Sequence, residues 1–218
     1  NEHDMNSHSS KHKRTAEEHS PAVPSGSAVT LRYHELTKHS YHSVRRGAYI
    51  LDWANQPSPY KRYRSLERLP LPPAVLADLP PTLELLRRLA EPGGLAPRGP
   101  ASLGELSALC YLGYGITAQK IYPSLTYDLR AAPSAGALFP CELYLCLRSL
   151  EGLPDGVYHY APDEHSLSRL RQGDFLPHLQ AAAGDHPALA GADLIFIVSA
   201  IWWRSAWKYR NRDYRYCL

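Results

Sequence analysis

The sequence predicts an α+β fold in which helices pack on a central sheet of mixed or antiparallel strands. Two segments in the middle of the chain repeat their apolar residues with the period of a helix. Three later segments show the alternating or continuous apolar pattern of strands. The chain has 218 residues, of which 44% are hydrophobic, so it can bury one substantial core.

The chain is expected to have three parts. Residues 1–28 are polar and contain few side chains that could build a core, so we expect a disordered tail there. Residues 29–81 carry scattered aromatic side chains and the proline-rich stretch LPLPPAVLADLPP, without a clean period. We expect this segment to be an extended leader that packs over the domain. The main domain is then expected over residues 82–218.

Two helices are predicted at the start of the main domain. TLELLRRLAE begins at Thr82, carries four leucines on one face and ends at the Pro-Gly-Gly of residues 92–94. SLGELSALCYLGYGI begins after Ser102, whose spacing to Glu105 matches a capping box, and it ends at Gly115. The residues that we expect this second helix to bury are Leu103, Leu106, Leu109, Cys110 and Leu112.

Three strands are predicted further along the chain. ELYLCLRSL alternates over residues 142–150, and GVYHYAP over residues 156–162 is an aromatic-rich partner. DLIFIVSAIWW over residues 193–203 is apolar enough for a central strand. Between the second and third strands, SLSRLRQGDFLPHLQAAAG is predicted to form two short helices.

Charge and cysteine content limit the classes of function. The 24 Lys and Arg residues against 21 Asp and Glu give a formal charge of +3, which is too low to indicate nucleic-acid binding. The four cysteines lack a CxxC or zinc-type spacing, so we expect mostly buried, reduced thiols. The apolar runs are too short to span a membrane, and the N-terminus lacks a secretory pattern. We therefore expect a cytoplasmic protein that binds neither nucleic acid nor membrane.

The histidines of the tail and leader do not predict a metal site. Neither group has a cysteine or carboxylate at the spacing that metal ligands need, so no metal is expected. The histidines are His3, His8, His12, His19, His34, His39 and His42.

A run of small residues, APSAGALFP, precedes the first predicted strand. Small side chains from Ser134 to Ala137 would let backbone amides and the Ser134 hydroxyl approach a flat ligand. Arg130 would add a fixed positive charge with planar donors, which suits a phosphate or the rim of a ring system. The alternative is a tight loop before a strand with Arg130 on the surface, and composition alone does not decide between them.

Basic and aromatic residues alternate in RSAWKYRNRDYRYCL at the end of the sequence. This pattern fits a single-stranded nucleic-acid platform, a site for an anionic aromatic cofactor, or a helix that faces solvent. Because the segment follows a buried strand, we expect it at a sheet edge, where ligands commonly bind. The residues concerned are Arg204, Lys208, Arg210, Arg212 and Arg215, with Trp207, Tyr209, Tyr214 and Tyr216 among them.

Five motifs resemble, in their order, the SagB-type dehydrogenase branch of the nitroreductase-like flavoproteins. This branch includes the azole-forming oxidases of thiazole/oxazole-modified peptide biosynthesis. The resemblance runs from about Tyr33 to the last residue. The motifs are YHELTKHS, LDWANQPSPYKRY, RAAPSAGALFPCELYL, GVYHY and KYRNRDYRY.

The resemblance implies a homodimer of α+β subunits that binds FMN at its interface, with partner proteins of a peptide-modifying complex. FMN would accept a hydride from the substrate, for example a peptide azoline. Lys208 and Tyr209 correspond to a pair proposed to be catalytic in the azole-forming members, where they would handle protons. The residues implied to bind the cofactor are Arg87, Arg88, Arg130, Pro133, Ser134, Ala135 and Gly136.

The sequence departs from the family pattern in two places. The first motif, RRSxR, here reads RRLAEPGGLAPRG, which keeps Arg87 and Arg88 but has Leu89 in place of the serine. Arg98 is a candidate replacement. The family also continues beyond Tyr216 with an aspartate-glycine-histidine-like segment and an apolar helix, so the domain is expected to be truncated at its C-terminus. In that case the apolar face of the last strand would be exposed.

Two functions from different classes follow. The first is an FMN-dependent oxidoreductase of the SagB type, which the intact small-residue and Lys-Tyr motifs favour. The alternative is a flavin-free relative that binds peptides or acts as a scaffold, which the eroded first motif favours.

Overall fold

The computed structural model describes five stretches of the chain, which are residues 26–46, 50–76, 80–93, 102–123 and 125–217. They belong to two compact units, and the division along the chain falls between residues 48 and 49. In the first unit, α1 (Gly26–Thr37) and α2 (Tyr41–Arg46) are helical where the sequence predicts an extended leader. The predicted tail lies outside the described residues except for residues 26–28, which begin α1.

The second unit combines helices and strands. Its described strands are β1 (Arg68–Pro70), β2 (Ile116–Tyr122), β3 (Leu125–Arg130), β4 (Cys141–Leu147), β5 (Gly156–Ala161), β6 (Ser166–Gln172) and β7 (Leu194–Ala200). Its described helices are α3 (Thr82–Ala90), α4 (Leu103–Tyr114), α5 (Leu176–Ala182), α6 (Trp202–Tyr209) and α7 (Asp213–Cys217). Short 3₁₀ turns occupy Trp53–Asn55, Ala135–Ala137, Pro187–Leu189 and Arg210–Arg212.

Five strands form an antiparallel sheet in the order β1-β6-β5-β4-β7. In the middle of the sheet, Tyr144 of β4 lies opposite His159 of β5 on one side and Ile197 of β7 on the other. β2 and β3 form a separate antiparallel hairpin. The α+β prediction with helices beside an antiparallel sheet is therefore confirmed.

α4 packs on the core of the sheet, and its predicted start and end are confirmed. The Ser102 hydroxyl accepts a hydrogen bond from the Glu105 amide at 3.2 Å, and Gly115 follows the last helical residue. Leu106 and Cys110 are fully buried against strand residues such as Leu145, Tyr158 and Tyr160.

The predicted burial of α4 is wrong at Leu109 and Leu112, which are 46% and 48% exposed. The helix is apolar on most sides, so the sequence pattern does not select one face. The buried face instead follows the spacing of Leu106, Cys110 and Tyr114, one residue per turn.

The helix predicted at SLSRLRQ is a strand, β6, which pairs with β5 and β1. A four-residue turn, Pro162 to His165, joins β5 to β6 as a hairpin. A proline early in such a turn favours the reversal of chain direction between the two strands. The serines of β6 have a low helix propensity, so they do not oppose strand formation. The second predicted helix is confirmed as α5.

The predicted last strand ends earlier than expected and lies at an edge. β7 ends at Ala200, and Trp202 and Trp203 belong to α6. β7 pairs with β4 alone in the described sheet, and its side chains Phe196 and Val198 are 41% and 65% exposed. The prediction of a central strand is therefore wrong for the described residues, whereas the expected exposure of its apolar face is observed.

Candidate active site

The small-residue run folds into a compact loop with unusual backbone geometry. Gly136, Ala137 and Phe139 have φ angles of +64°, +54° and +45°. The Ser134 hydroxyl accepts a hydrogen bond from the Phe139 amide at 2.9 Å and so closes the loop. Left-handed backbone at non-glycine residues is uncommon and concentrates at functional sites. This loop, residues 133–139, is therefore a candidate site on its geometry alone.

Lys208 and Tyr209 lie directly against this loop. A methyl group built on Gly136 would lie 2.8 Å from the Tyr209 hydroxyl oxygen and 2.9 Å from the Lys208 Nζ. α6 carries Lys208 and Tyr209 at its last two positions, where both side chains are half-buried. The structure thus brings together the predicted cofactor loop and the predicted catalytic pair, although 72 residues separate Gly136 from Lys208 in the chain.

Arg130 is buried rather than on the surface. Its side chain is 6% exposed, and its guanidinium lies 4.5–5.4 Å from the ring centres of Phe139, Tyr114 and Tyr60. Nη2 donates to the Pro59 carbonyl at 2.7 Å, whereas Nε and Nη1 have no hydrogen-bond partner among the described residues. The surface alternative is therefore wrong, and two buried donors remain that could serve a polar ligand.

A buried charged network connects α6 to the sheet and to the loop. Arg204 donates to the Phe139 carbonyl and to the Ser58 carbonyl, each at 2.8 Å, and it forms an ion pair with Glu142. The other Glu142 oxygen accepts from His159 Nε2 at 2.6 Å. Burial alone would raise the pKa of Glu142, but the His159 bond and the Arg204 charge outweigh it and hold the pKa below its ordinary value.

Residues 52–60 pack beside the loop and α6. The loop forms one wall of the candidate site, and we call residues 52–60 the second wall. Trp207 donates its indole N–H to the Asp52 carbonyl at 2.7 Å, and its ring contacts Trp53 edge to face. The Pro59 and Ser58 carbonyls hold Arg130 and Arg204, as described above. This segment of the predicted leader is thus anchored to the helix that carries Lys208.

Lys61 and two tyrosines form a further polar cluster beside His159. The Lys61 amine donates to the Tyr144 hydroxyl at 2.7 Å, and the Tyr63 hydroxyl lies 3.4 Å from the same oxygen. Burial acts to raise the pKa of Tyr144, but hydrogen bonds with Lys61, Tyr63 and Ser199 together outweigh it, so the pKa is lowered. The rings of Tyr63 and Tyr144 both lie against the His159 ring, which links this cluster to the buried charged network.

Two cavities flank the loop. One of about 520 Å³ is mostly apolar and includes Pro133, Ser134, Cys141 and Tyr216 in its lining. The other, about 280 Å³, lies between residues 56–60 and the Gly136 side of the loop. The larger cavity has the volume and character of a small-molecule site.

Arg87 and Arg88 lie on the exposed helix α3. Arg88 pairs with Glu84 at 3.1 Å along the helix, and Arg87 is also exposed. α3 buries none of its residues, and its leucines Leu83, Leu86 and Leu89 are more than half exposed. Arg98 lies outside the described residues. A role of these arginines at a cofactor stays a prediction.

Among the described residues, neither a metal site nor a membrane-spanning helix is found. Within the described stretches, no three His, Cys, Asp or Glu side chains come together as a metal site would require. The helices that the structure describes are all too short or too polar to cross a membrane. All four cysteines are free thiols, of which Cys110 and Cys146 are buried.

Comparison with known proteins identifies the fold as nitroreductase-like. A solved structure from Anabaena variabilis, provisionally named as a nitroreductase, matches with a TM-score of 0.68 and 35% identity. The match covers 87% of this chain and 35% of the Anabaena chain. A second provisionally named nitroreductase, from Ralstonia eutropha, has a TM-score of 0.51 and 20% identity over 73% of each chain, which supports the fold alone.

A curated relative agrees with this result. It is a provisionally named nitroreductase of Methanocaldococcus jannaschii, 32% identical over 117 residues. The match covers 54% of this chain and 56% of the relative, so the chain spans about half the length of the curated protein it matches. No family profile matches the sequence. These similarities support a nitroreductase-like fold for this chain.

The sequence does not point to the buried charged network, and it places residues 52–60 only within a leader that is expected to pack over the domain. Glu142 and His159 stand out as polar residues inside otherwise apolar strands, and that was the available signal. Arg204 belongs to the basic and aromatic segment for which the sequence leaves a ligand site or a solvent-facing helix open, and it is 3% exposed.

Proposed function

We propose that this chain is part of an FMN-dependent oxidoreductase of the SagB type, and that a peptide azoline is its substrate. The observation that carries the proposal is the contact of Lys208 and Tyr209 with the loop at Gly136. Proton-handling groups lie there beside backbone that small side chains leave accessible.

The residues present fit an FMN molecule. The loop side chains from Pro133 to Gly136 are small enough for a flat ring to approach the backbone. Arg130 keeps two buried donor nitrogens, Nε and Nη1, that a carbonyl or phosphate oxygen would satisfy. We propose that Pro133, Ser134, Ala135 and Gly136 contact the flavin, that Arg130 adds a hydrogen bond to it, and that Arg87 and Arg88 approach its phosphate.

Azole formation removes one hydride and one proton from the azoline ring. Bound FMN supplies the hydride acceptor for this chemistry. The Lys208 amine, unprotonated when it acts as the base, accepts the ring proton, and the Tyr209 hydroxyl relays it towards solvent by passing on its own proton. The half-buried position of both side chains keeps them oriented towards the loop.

We further propose that the working protein is a homodimer and acts with partner proteins of a peptide-modifying complex. Phe196 and Val198 on β7 and the leucines of α3 leave apolar surface exposed, as expected of a protein that associates. A second subunit would cover this surface.

Turnover by a Lys208→Ala variant tests the proposal. With flavin bound to both proteins, we expect the variant to lose azoline oxidation by about 100-fold or more while its flavin absorbance is unchanged. Lys120→Ala on the exposed β2–β3 hairpin is the control and should keep full activity. Unchanged turnover in Lys208→Ala would remove Lys208 from the mechanism. A folded wild-type protein that binds a precursor peptide but no flavin would instead support the scaffold alternative.

A further inference from the structure

Arg204 lies at the centre of the site and is itself enclosed. Its side chain is 3% exposed, and it belongs to α6, four residues before Lys208. Residues four apart lie on the same face of a helix, so Arg204 is one turn below the catalytic candidate. Holding Arg204 in place therefore also holds the helix turn from which Lys208 extends.

Three structural elements meet at the Arg204 guanidinium. It donates to the Phe139 carbonyl at the end of the loop and to the Ser58 carbonyl in the second wall, each at 2.8 Å. Its third partner is the Glu142 carboxylate on β4. The planar fork of arginine can serve several acceptors in fixed directions, which a lysine amine cannot reproduce.

The network behind Arg204 is almost entirely shielded from solvent. Glu142 and His159 are 2% and 0% exposed, and they lie on the paired strands β4 and β5. Because the carboxylate can only accept, His159 donates from Nε2, and each Glu142 oxygen has one strong partner. Glu142 thus holds Arg204 from the sheet side, with its charge balanced.

We propose that Arg204 is the positioning residue that holds Lys208 and Tyr209 at Gly136. It does so by joining α6 to the end of the loop through Phe139 and to the second wall through Ser58. Its consequence for catalysis rests on the proposed function, but the placement of Lys208 does not depend on flavin.

The competing explanation is that Arg204 merely neutralises the buried Glu142 charge. Arg204→Lys separates the two, because a lysine keeps the positive charge beside Glu142 but loses the planar fork. If charge neutralisation is the whole role of Arg204, the Arg204→Lys variant should keep the wild-type arrangement of Lys208. If the fork positions the helix, Lys208 should become more accessible.

The test is the rate at which an amine-acylating reagent modifies each lysine of the flavin-free protein, followed by tandem mass spectrometry. We expect Lys208 to react several-fold faster in Arg204→Lys than in the wild type. Lys61, held by Tyr144 in the same core, should react at the wild-type rate. Arg148→Lys is the matched control, because Arg148 pairs with Asp174 and Asp193 away from the loop, and it should leave both rates unchanged.

Two labelling results would overturn the proposal. One is an unchanged Lys208 rate in Arg204→Lys, which would leave charge balance as the role of Arg204. The other is an equal increase at Lys208 and Lys61, which would indicate general loosening. If Arg204→Lys does not fold, the double variant Arg204→Met with Glu142→Gln provides the readout, since it removes the fork and leaves no buried carboxylate charge to neutralise. Unchanged Lys208 labelling in that variant would also contradict the proposal.

Turnover provides a second arm once flavin binding is established. Arg204→Lys should lower kcat by about 10- to 100-fold, because small displacements of a catalytic group are costly. KM should stay within about twofold of the wild type, because Arg204 does not face the substrate. Absence of flavin in the wild type would defeat the proposed function, yet the labelling result would still decide the role of Arg204.

Discussion

At position 136, both the backbone conformation and the neighbouring side chains require glycine. Its φ of +64° is accessible to glycine at little cost, and any Cβ would meet the ends of Lys208 and Tyr209. The sequence suggested that a flat ligand explains the small residues of this loop. The structure adds a second reason, which is the close approach of α6.

His165 is a residue whose ionisation should make stability depend on pH. It lies in the β5–β6 turn, where its Nδ1 is 2.8 Å from the Tyr160 hydroxyl and its Nε2 is 2.7 Å from the Ser107 hydroxyl. Burial lowers the pKa of His165, although the nearby Pro72 carbonyl acts in the opposite direction. The folded state therefore resists a proton that the unfolded chain takes up near pH 6.5, so stability should fall below about pH 6.5.

Urea unfolding at about pH 7.5 and about pH 5.5 measures this effect. His165→Asn is the informative variant, because asparagine tolerates the φ of +44° at this position but does not titrate. We expect the variant to be less stable at the higher pH and to lose part of the pH dependence. The same pH dependence in both proteins would assign it to other groups.

The candidate site could be predicted residue by residue only where a local motif marks it. Gly136, Lys208 and Tyr209 stood out because their neighbours in sequence form recognisable patterns. Arg204 could not be assigned, because its partners Ser58 and Glu142 are 146 and 62 residues away and only the fold brings them together.

At the scale of elements, the start of α4 is the feature that sequence and structure define most clearly. Ser102→Ala should destabilise the protein by about 1 kcal/mol, because the Glu105 amide would lose its side-chain acceptor. Ser102→Asp keeps an acceptor at the helix N-terminus and should retain wild-type stability. Urea unfolding compares the three proteins, and equal stability of Ser102→Ala and the wild type would show that the cap contributes nothing.

The sequence predicts an element correctly where several local signals agree. The prediction is wrong where pairing with another strand determines the secondary structure. α4 has a cap, a period and a terminating Gly115, all within one segment. SLSRLRQ has a pattern compatible with a helix, and it becomes β6 because the preceding turn places it beside β5. β2 and β3 were not predicted, since their hairpin is largely exposed and lacks a strong apolar alternation.

At the scale of the molecule, the candidate site lies at the end of the antiparallel sheet where β4 begins and β7 ends. β4 begins at Cys141, directly after the loop, and β7 ends at Ala200, directly before α6. Because Cys141 pairs with Ala200, the loop and α6 adjoin the sheet at neighbouring positions at the same end of the strands. The contact between Gly136 and Lys208 is therefore a consequence of strand register.

FMN binding by the purified protein tests the central claim most directly. Fluorescence titration with FMN would compare the wild type, Gly136→Ala and Gly152→Ala, the last having a φ of +80° and open space around its Cβ position. Both substitutions cost about 1 to 2 kcal/mol of backbone strain, and only Gly136→Ala in addition displaces the ends of Lys208 and Tyr209. We predict FMN binding that is kept in Gly152→Ala and weakened about 10-fold or more in Gly136→Ala. Equal affinity in all three proteins, or a folded wild type that binds no FMN, would contradict the account.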